Sequence, residues 1–144
     1  MNSTQQPPRE RNQQNRENEN IVRLSTRSNV RGVIKYIVDL FNSNKHDFVQ
    51  ISGLNQAISN VVLVAEVIKT QIAGLHQTNT IDCVVMNTDR QGNEGVERRT
   101  PKLEIVLSKT EPTNKTNGYQ RPYTQSEVQA ILCNIKFNYS CSSY

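Results

Sequence analysis

One segment of the chain, Ile51 to Thr70, constrains the fold more than any other. It begins with a short alternating stretch, passes through a Gly/Asn turn and continues into a helix that is apolar on almost every side. The helical period predicts one buried stripe: Ala57, Ile58, Val61, Val62, Ala65, Ile68 and Ile72. Leu63, Val64 and Val67 form a second apolar face. Because 144 residues offer little material to cover two faces, we expect Leu63 and Val67 to contact a second protomer.

Length and composition predict one modest domain with polar tails. The chain has 144 residues, of which 35% are hydrophobic, and a formal charge of +4. Residues 1–20 contain almost no apolar side chains and should be disordered. Residues 21–109 should form the folded core, and residues 110–144 a linker with a short C-terminal helix. The core contains 11 Lys/Arg and 8 Asp/Glu. This excess favours a polyanionic partner, although a solvated surface explains it equally well.

Hydrophobic periodicity predicts the order strand, helix, strand, helix, strand, strand. The predicted strands are residues 21–25, 48–52, 80–86 and 102–109. Asn29 should cap the first helix, and the second should follow the turn at 53–56. This order predicts an α/β fold, a two-layer sandwich in which two helices cover one face of a four-stranded mixed sheet.

Two polar segments lie outside this pattern. Residues 87–100 should form a mobile hairpin arm, because they include Gly92 and Gly95. Thr124 and Glu127 fit a capping box and predict a short amphipathic helix. That helix could dock on the core, bind a partner or form only weakly.

The sequence lacks the residue patterns that are typical of enzymes and metal sites. His46 and His76 are isolated, the three cysteines have no paired spacing, and the helices carry no paired inward carboxylates. We therefore predict no catalytic residues, no metal, no cofactor and no small-molecule substrate. Glu66, inside the apolar helix, should form a salt bridge. The odd cysteine count, with no apparent signal segment or membrane span, favours a nuclear or cytoplasmic protein that is not secreted.

The core residues resemble those of the Alba family. The helix QAISNVVLVAEVIK, Gln56 to Lys69, is similar to the Ala-Ile followed by Val-Ala-Glu-Ile-Leu-Lys pattern of eukaryotic members, and the likeness extends over Ile21 to Lys109. The resemblance implies a small dimeric protein that binds RNA and DNA, and we expect RNA to be preferred, because eukaryotic members of the family lean toward RNA. The partner protomer would be a second copy or another Alba-like protein. The alternatives are a non-catalytic subunit of a ribonucleoprotein such as ribonuclease P or MRP, and a DNA-binding chromatin protein.

Asn55 and Gln56 depart from the family pattern, which usually has a glycine and a basic residue at these positions. Asparagine tolerates the left-handed conformation and caps helices, so Asn55 can preserve the backbone. Gln56 retains hydrogen bonding without the charge. We expect both residues to contact nucleic acid.

Basic residues at three places complete the predicted nucleic-acid-binding site. Arg27 follows the first strand, and Arg31 and Lys35 lie on the outer face of the first helix. If the first two strands are parallel, this loop meets the start of the second helix, where backbone N–H groups also attract phosphate. Arg98 and Arg99 lie at the base of the arm, which in the family enters a groove or follows a strand.

Overall fold

The structure is a computed structural model that describes residues 18–88 and 96–140. Its strands are β1 (Ile21–Leu24), β2 (Phe48–Leu54), β3 (His76–Thr88), β4 (Val96–Ser108) and β5 (Tyr119–Gln120). Its helices are α1 (Val30–Asn42), α2 (Ile58–Gln71) and α3 (Gln125–Ser140), and a 3-10 turn at Asn55–Ala57 precedes α2. The predicted α/β fold is confirmed. Most of the predicted disordered tail, and the tip of the predicted arm at 89–95, lie outside the described residues.

The sheet has the order β1-β2-β4-β3-β5, with β1 parallel to β2 and the other pairs antiparallel. The prediction of four strands was wrong, because β5 pairs with Gln77 and Thr78 at the edge of β3. A strand of two residues is too short to show periodicity. Gly118 permits this pairing, since a Cβ at that position would overlap the carbonyl oxygen of Asn79.

Strands β3 and β4 are longer than predicted, and their ladder continues to Thr88 opposite Val96. Half of the predicted 87–100 connector, residues 87–88 and 96–100, is therefore paired strand. The sequence pattern placed the start of β3 too late, because the polar residue Gln77 is buried opposite Leu107, where the pattern requires an apolar residue. Pro101 interrupts the local pattern of β4. The sheet tolerates it because β2 ends opposite Lys102, so Pro101 pairs on one side only.

Helices α1 and α2 cover one face of the sheet, and the core lies between them and the inward side chains of β2 and β4. The predicted stripe on α2 is correct for Val61 and Ile68, but Val62 is 44% exposed and Val64 is fully buried. At about 100° per residue, Val64 lies beside Val61 and Ile68, whereas Val62 turns away. The other face of the sheet carries no helix within the described residues. No helix in residues 18–88 or 96–140 is long and apolar enough to cross a membrane.

Candidate nucleic-acid interface

The loop after β1 lies against the start of α2, as the sequence predicts. Leu24 pairs with Gly53 in the parallel ladder, so both strands end at the same edge of the sheet. The side-chain amide of Asn60, in the first turn of α2, donates a hydrogen bond to the carbonyl oxygen of Ser25 over 3.3 Å. Gly53 allows α2 to start this close, because a Cβ there would lie 2.7 Å from Cγ2 of Val61.

Arg27 projects from a tight turn, residues Ser25–Ser28, which we call the basic turn. The Ser28 amide donates to the Ser25 carbonyl over 3.2 Å, and the Ser25 amide donates to Oγ of Ser28 over 2.9 Å. These two bonds fix the turn, whereas the Arg27 side chain is exposed to solvent. The arrangement therefore presents a permanent positive charge on a defined backbone.

Asn55 adopts the left-handed conformation, with φ of 50°, as expected for an asparagine at the usual glycine position. The expected capping role is wrong. Asn55 lies inside the 3-10 turn, and neither this turn nor α2 has a side-chain cap in the described structure. Asn55 and Gln56 are both exposed. Their side chains and the N–H groups that begin this helical segment are therefore available to an anionic ligand.

Arg31 and Lys35 contribute to a different surface from the basic turn. They line a groove of about 690 Å³ between α1 and α2, together with the predicted dimer residues Leu63 and Val67. We call this surface the helical groove. Leu63 is 50% exposed, and Val67 is half-buried. The groove thus combines apolar walls with a basic rim, and the basic residues predicted for one edge are divided between two surfaces.

Arg98 and Arg99 are part of β4 and lie opposite Met86 and Val85. Both arginines are exposed. Because successive strand residues point to opposite faces, Arg98 shares the helix-free face with Lys102, and Arg99 points to the other face. The two charges therefore lie on the two sides of a ribbon, where one ligand strand cannot contact both from a single face.

The C-terminal segment, Tyr119–Ser140, packs back onto α2, and we call it the strap. The hydroxyl of Tyr123 donates to Oε2 of Glu66 over 2.6 Å. Nζ of Lys69 lies 2.8 Å from Oε1 of Glu66 and 4.2 Å from the centroid of the Tyr123 ring. Burial, followed by the hydrogen bond to Glu66, raises the pKa of Tyr123 to about 12. The salt bridge expected for Glu66 is confirmed, but no sequence pattern indicates its contact with Tyr123.

The capping box at the start of α3 is also confirmed. The Thr124 amide donates to Oε2 of Glu127 over 2.9 Å, and the Glu127 amide donates to Oγ1 of Thr124 over 3.3 Å. Hydrogen bonds from Arg121, and then from the Thr124 amide, lower the pKa of Glu127 to about 2. Leu132 of α3 lines the helical groove. Of the three possibilities left open by the sequence, the structure thus shows docking on the core.

No group of three or more His, Cys, Asp or Glu side chains within residues 18–88 and 96–140 is arranged to hold a metal ion. The surfaces described above offer exposed cations, backbone donors and apolar walls. These groups bind anions and flat apolar ligands.

Comparisons with known proteins show what the chain is similar to. Residues 20–85 match the model of the Alba family. A curated protein of Plasmodium falciparum, named DNA/RNA-binding protein ALBA1, is 25% identical over 119 residues, which cover 78% of this chain and 48% of the relative. The chain thus spans about half the length of that relative.

A solved archaeal structure supports the fold, and a second structure is similar to this chain. Alba from Thermoplasma volcanium has 22% identity and a TM-score of 0.53, covering 62% of this chain and 99% of the archaeal one. ALBA1 from Trypanosoma brucei has 17% identity and a TM-score of 0.48, covering 85% of this chain and 87% of its own. Residues 20–85 therefore match the Alba family model, and the chain has the Alba-like α/β fold.

Proposed function

We propose that this chain is a non-catalytic nucleic-acid-binding protein that prefers RNA to DNA. The observation that carries the proposal is the contact between the basic turn and the start of α2, held by the hydrogen bond from Asn60 to Ser25. Arg27 and the N–H groups of the Asn55–Ala57 turn would contact the same stretch of phosphates. The name of the P. falciparum relative, a DNA/RNA-binding protein, supports this class of function.

The preference for RNA rests on the amount of charge. A net charge of +4 on 144 residues is small for a protein that coats duplex DNA. Single-stranded RNA can be bound with fewer phosphate contacts, because exposed bases add stacking and hydrogen bonds. Arg98, on the same face as Lys102, would extend the contact along the β3-β4 ribbon, whereas Arg99 would contact nucleic acid only from the other face. A nuclear or cytoplasmic location fits this role and stays a prediction.

The proposal includes a protein partner at the helical groove. The exposed side chain of Leu63 and the half-buried side chain of Val67 favour a second Alba-like protomer, identical or different. This surface also favours the second candidate function, that of a non-catalytic subunit in a ribonucleoprotein. Val67→Glu should weaken the assembly, because burying the new carboxylate in an apolar contact carries a large desolvation cost. Light scattering measures the molar mass of the assembly. A wild-type protein that is monomeric at micromolar concentration, both alone and with candidate partners, would contradict the proposed dimer.

Salt titration tests the phosphate contacts. Affinity for labelled single-stranded RNA should fall linearly on a log-log plot against salt concentration, with a slope of about −0.7 per phosphate contact. Arg27→Ala should weaken binding to all sequences alike and reduce the slope by about one contact, because phosphate contacts read no bases. The matched control is Arg9→Ala, which removes the same charge from the N-terminal tail. An equal loss from both substitutions would indicate diffuse attraction without a defined site.

A further inference from the structure

A cleft of about 560 Å³ opens where β1 and β2 end, at the border of the helix-free face of the sheet. We call it the sheet cleft. Arg23 and Ser52 are paired across β1 and β2, and Leu54 and Lys102 are paired across β2 and β4. These four residues, with Ser25 and Val84, line the cleft. The site residues predicted from the sequence do not include any of them.

The lining of the sheet cleft is positively charged. Its residues include two cations, Arg23 and Lys102, and no carboxylate. Glu104, which lies on the same face beyond the lining, binds Lys102 with 3.3 Å between Nζ and Oε2. Lys102 is therefore partly neutralised, and Arg23 is the stronger attractor of an anion at this site. A phosphate in the cleft would satisfy both cations.

The remaining lining residues suit a nucleobase. Leu54 and Val84 provide apolar walls, and Ser25, Thr26 and Ser52 provide hydroxyl groups that can donate or accept hydrogen bonds. Ligand pockets usually measure about 300–1,000 Å³, so the volume fits a nucleotide. An apolar slot with a polar border and a cationic mouth matches a flat base, its polar edge and its phosphate. A base inside a duplex is stacked on both sides and cannot enter such a slot.

The sheet cleft is continuous with the basic turn, because Ser25 and Thr26 line the cleft and Arg27 is the next residue of that turn. A strand bound at Arg27 would thus pass the mouth of the cleft. We infer that the sheet cleft takes one unstacked nucleotide of single-stranded RNA, its base between Leu54 and Val84 and its phosphate at Arg23 and Lys102. This inference rests on the proposed function and adds that single strands are selected over duplexes.

Two substitutions test the sheet cleft by independent means. Arg23→Ala removes the main cation, and Val84→Phe fills the slot without changing charge. The probe is a labelled 12-nucleotide RNA, used single-stranded and annealed to its complement, and circular dichroism checks that each variant is folded. We expect each variant to bind the single strand about tenfold more weakly, the loss that follows removal of one base contact, and the duplex nearly as wild type does.

The remaining variants separate the cleft from general electrostatics. Lys45→Ala is the control for loss of a charge, since this exposed residue precedes β2 at the opposite end of the strand. Glu104→Gln should strengthen single-strand binding, because it releases Lys102 from its ion pair. If either Arg23→Ala or Val84→Phe prefers the single strand over the duplex as strongly as the wild-type protein does, the inference is overturned. If Arg27→Ala still weakens binding in that case, the proposed function stands, whereas wild-type protein that binds no RNA would refute both.

Discussion

Replacing Tyr123 with phenylalanine should loosen the strap without unfolding the α/β domain. The change removes the 2.6 Å hydrogen bond to Glu66 but keeps the ring that faces Nζ of Lys69 at 4.2 Å. A hydrogen bond to a charged group contributes about 1.5–3 kcal/mol. The Glu66 side chain is 35% exposed, so solvent screening places the loss at the low end. A loss of about 1.4 kcal/mol lowers the equilibrium constant for strap docking about tenfold.

Amide hydrogen exchange measures this change directly, because exchange reports the population of the open state. Peptides from residues 119–134 should exchange about tenfold faster in the variant, whereas peptides from β2 and α2 should be unchanged. Tyr36→Phe is the matched control, since its hydroxyl donates to the carbonyl of Glu19 over 2.9 Å and not to a carboxylate. The reasoning would be refuted if the strap of Tyr123→Phe exchanged at the wild-type rate, or if Tyr123→Phe and Tyr36→Phe accelerated exchange in the strap equally.

Three further predictions concern pH and packing. An absorbance titration of the wild type should show one tyrosine that ionises near pH 12. This titration step should be absent in Tyr123→Phe. Because the folded pKa is raised from 10 to about 12, its contribution to stability should be complete below pH 10 and lost as pH rises through 12. The pKa of Glu127 is lowered from 4.5 to about 2, so its contribution to the stability of α3 should be complete above pH 4.5 and lost as pH falls through 2. Circular dichroism of wild type and Arg121→Ala as pH falls would show this, because the variant lacks the main cause of the lowered pKa and should lose helix at a higher pH. Gly53→Ala should cost about 1–3 kcal/mol in urea unfolding, because the added Cβ meets Val61 Cγ2 at 2.7 Å, and an unchanged midpoint would contradict that packing.

The sequence predicts the elements whose side chains follow a period. The α1 and α2 helices, β2 and the capping box were all found near their expected positions, since apolar periodicity and local hydrogen bonds determine them. The sequence did not reveal features that depend on distant neighbours. Gln77 is buried by its cross-strand partners, and Tyr119 joins the sheet only because β3 offers an edge.

The same distinction applies to the candidate site. Parallel pairing of β1 and β2 was sufficient to place the basic turn beside the start of α2, because both belong to segments that end at one edge. The sheet cleft was missed because Arg23, Leu54, Val84 and Lys102 come from four strands and show no common spacing. The division between Arg31 and the basic turn was also missed, since it depends on how α1 crosses α2.

Gly118 sets the register of the whole C-terminal segment. A slip of one residue would place the Cβ of Asn117 or Tyr119 against the Asn79 carbonyl, where only glycine fits. The slip would also turn Tyr119 to the opposite face and break its 2.8 Å hydrogen bond with Nδ1 of His76. Tyr123 lies four residues beyond Tyr119, so the distance from this fixed pairing determines whether its hydroxyl reaches Glu66. One inserted residue between Gln120 and Tyr123 would therefore misplace α3 along α2, even though both ends of the strap kept their sequences.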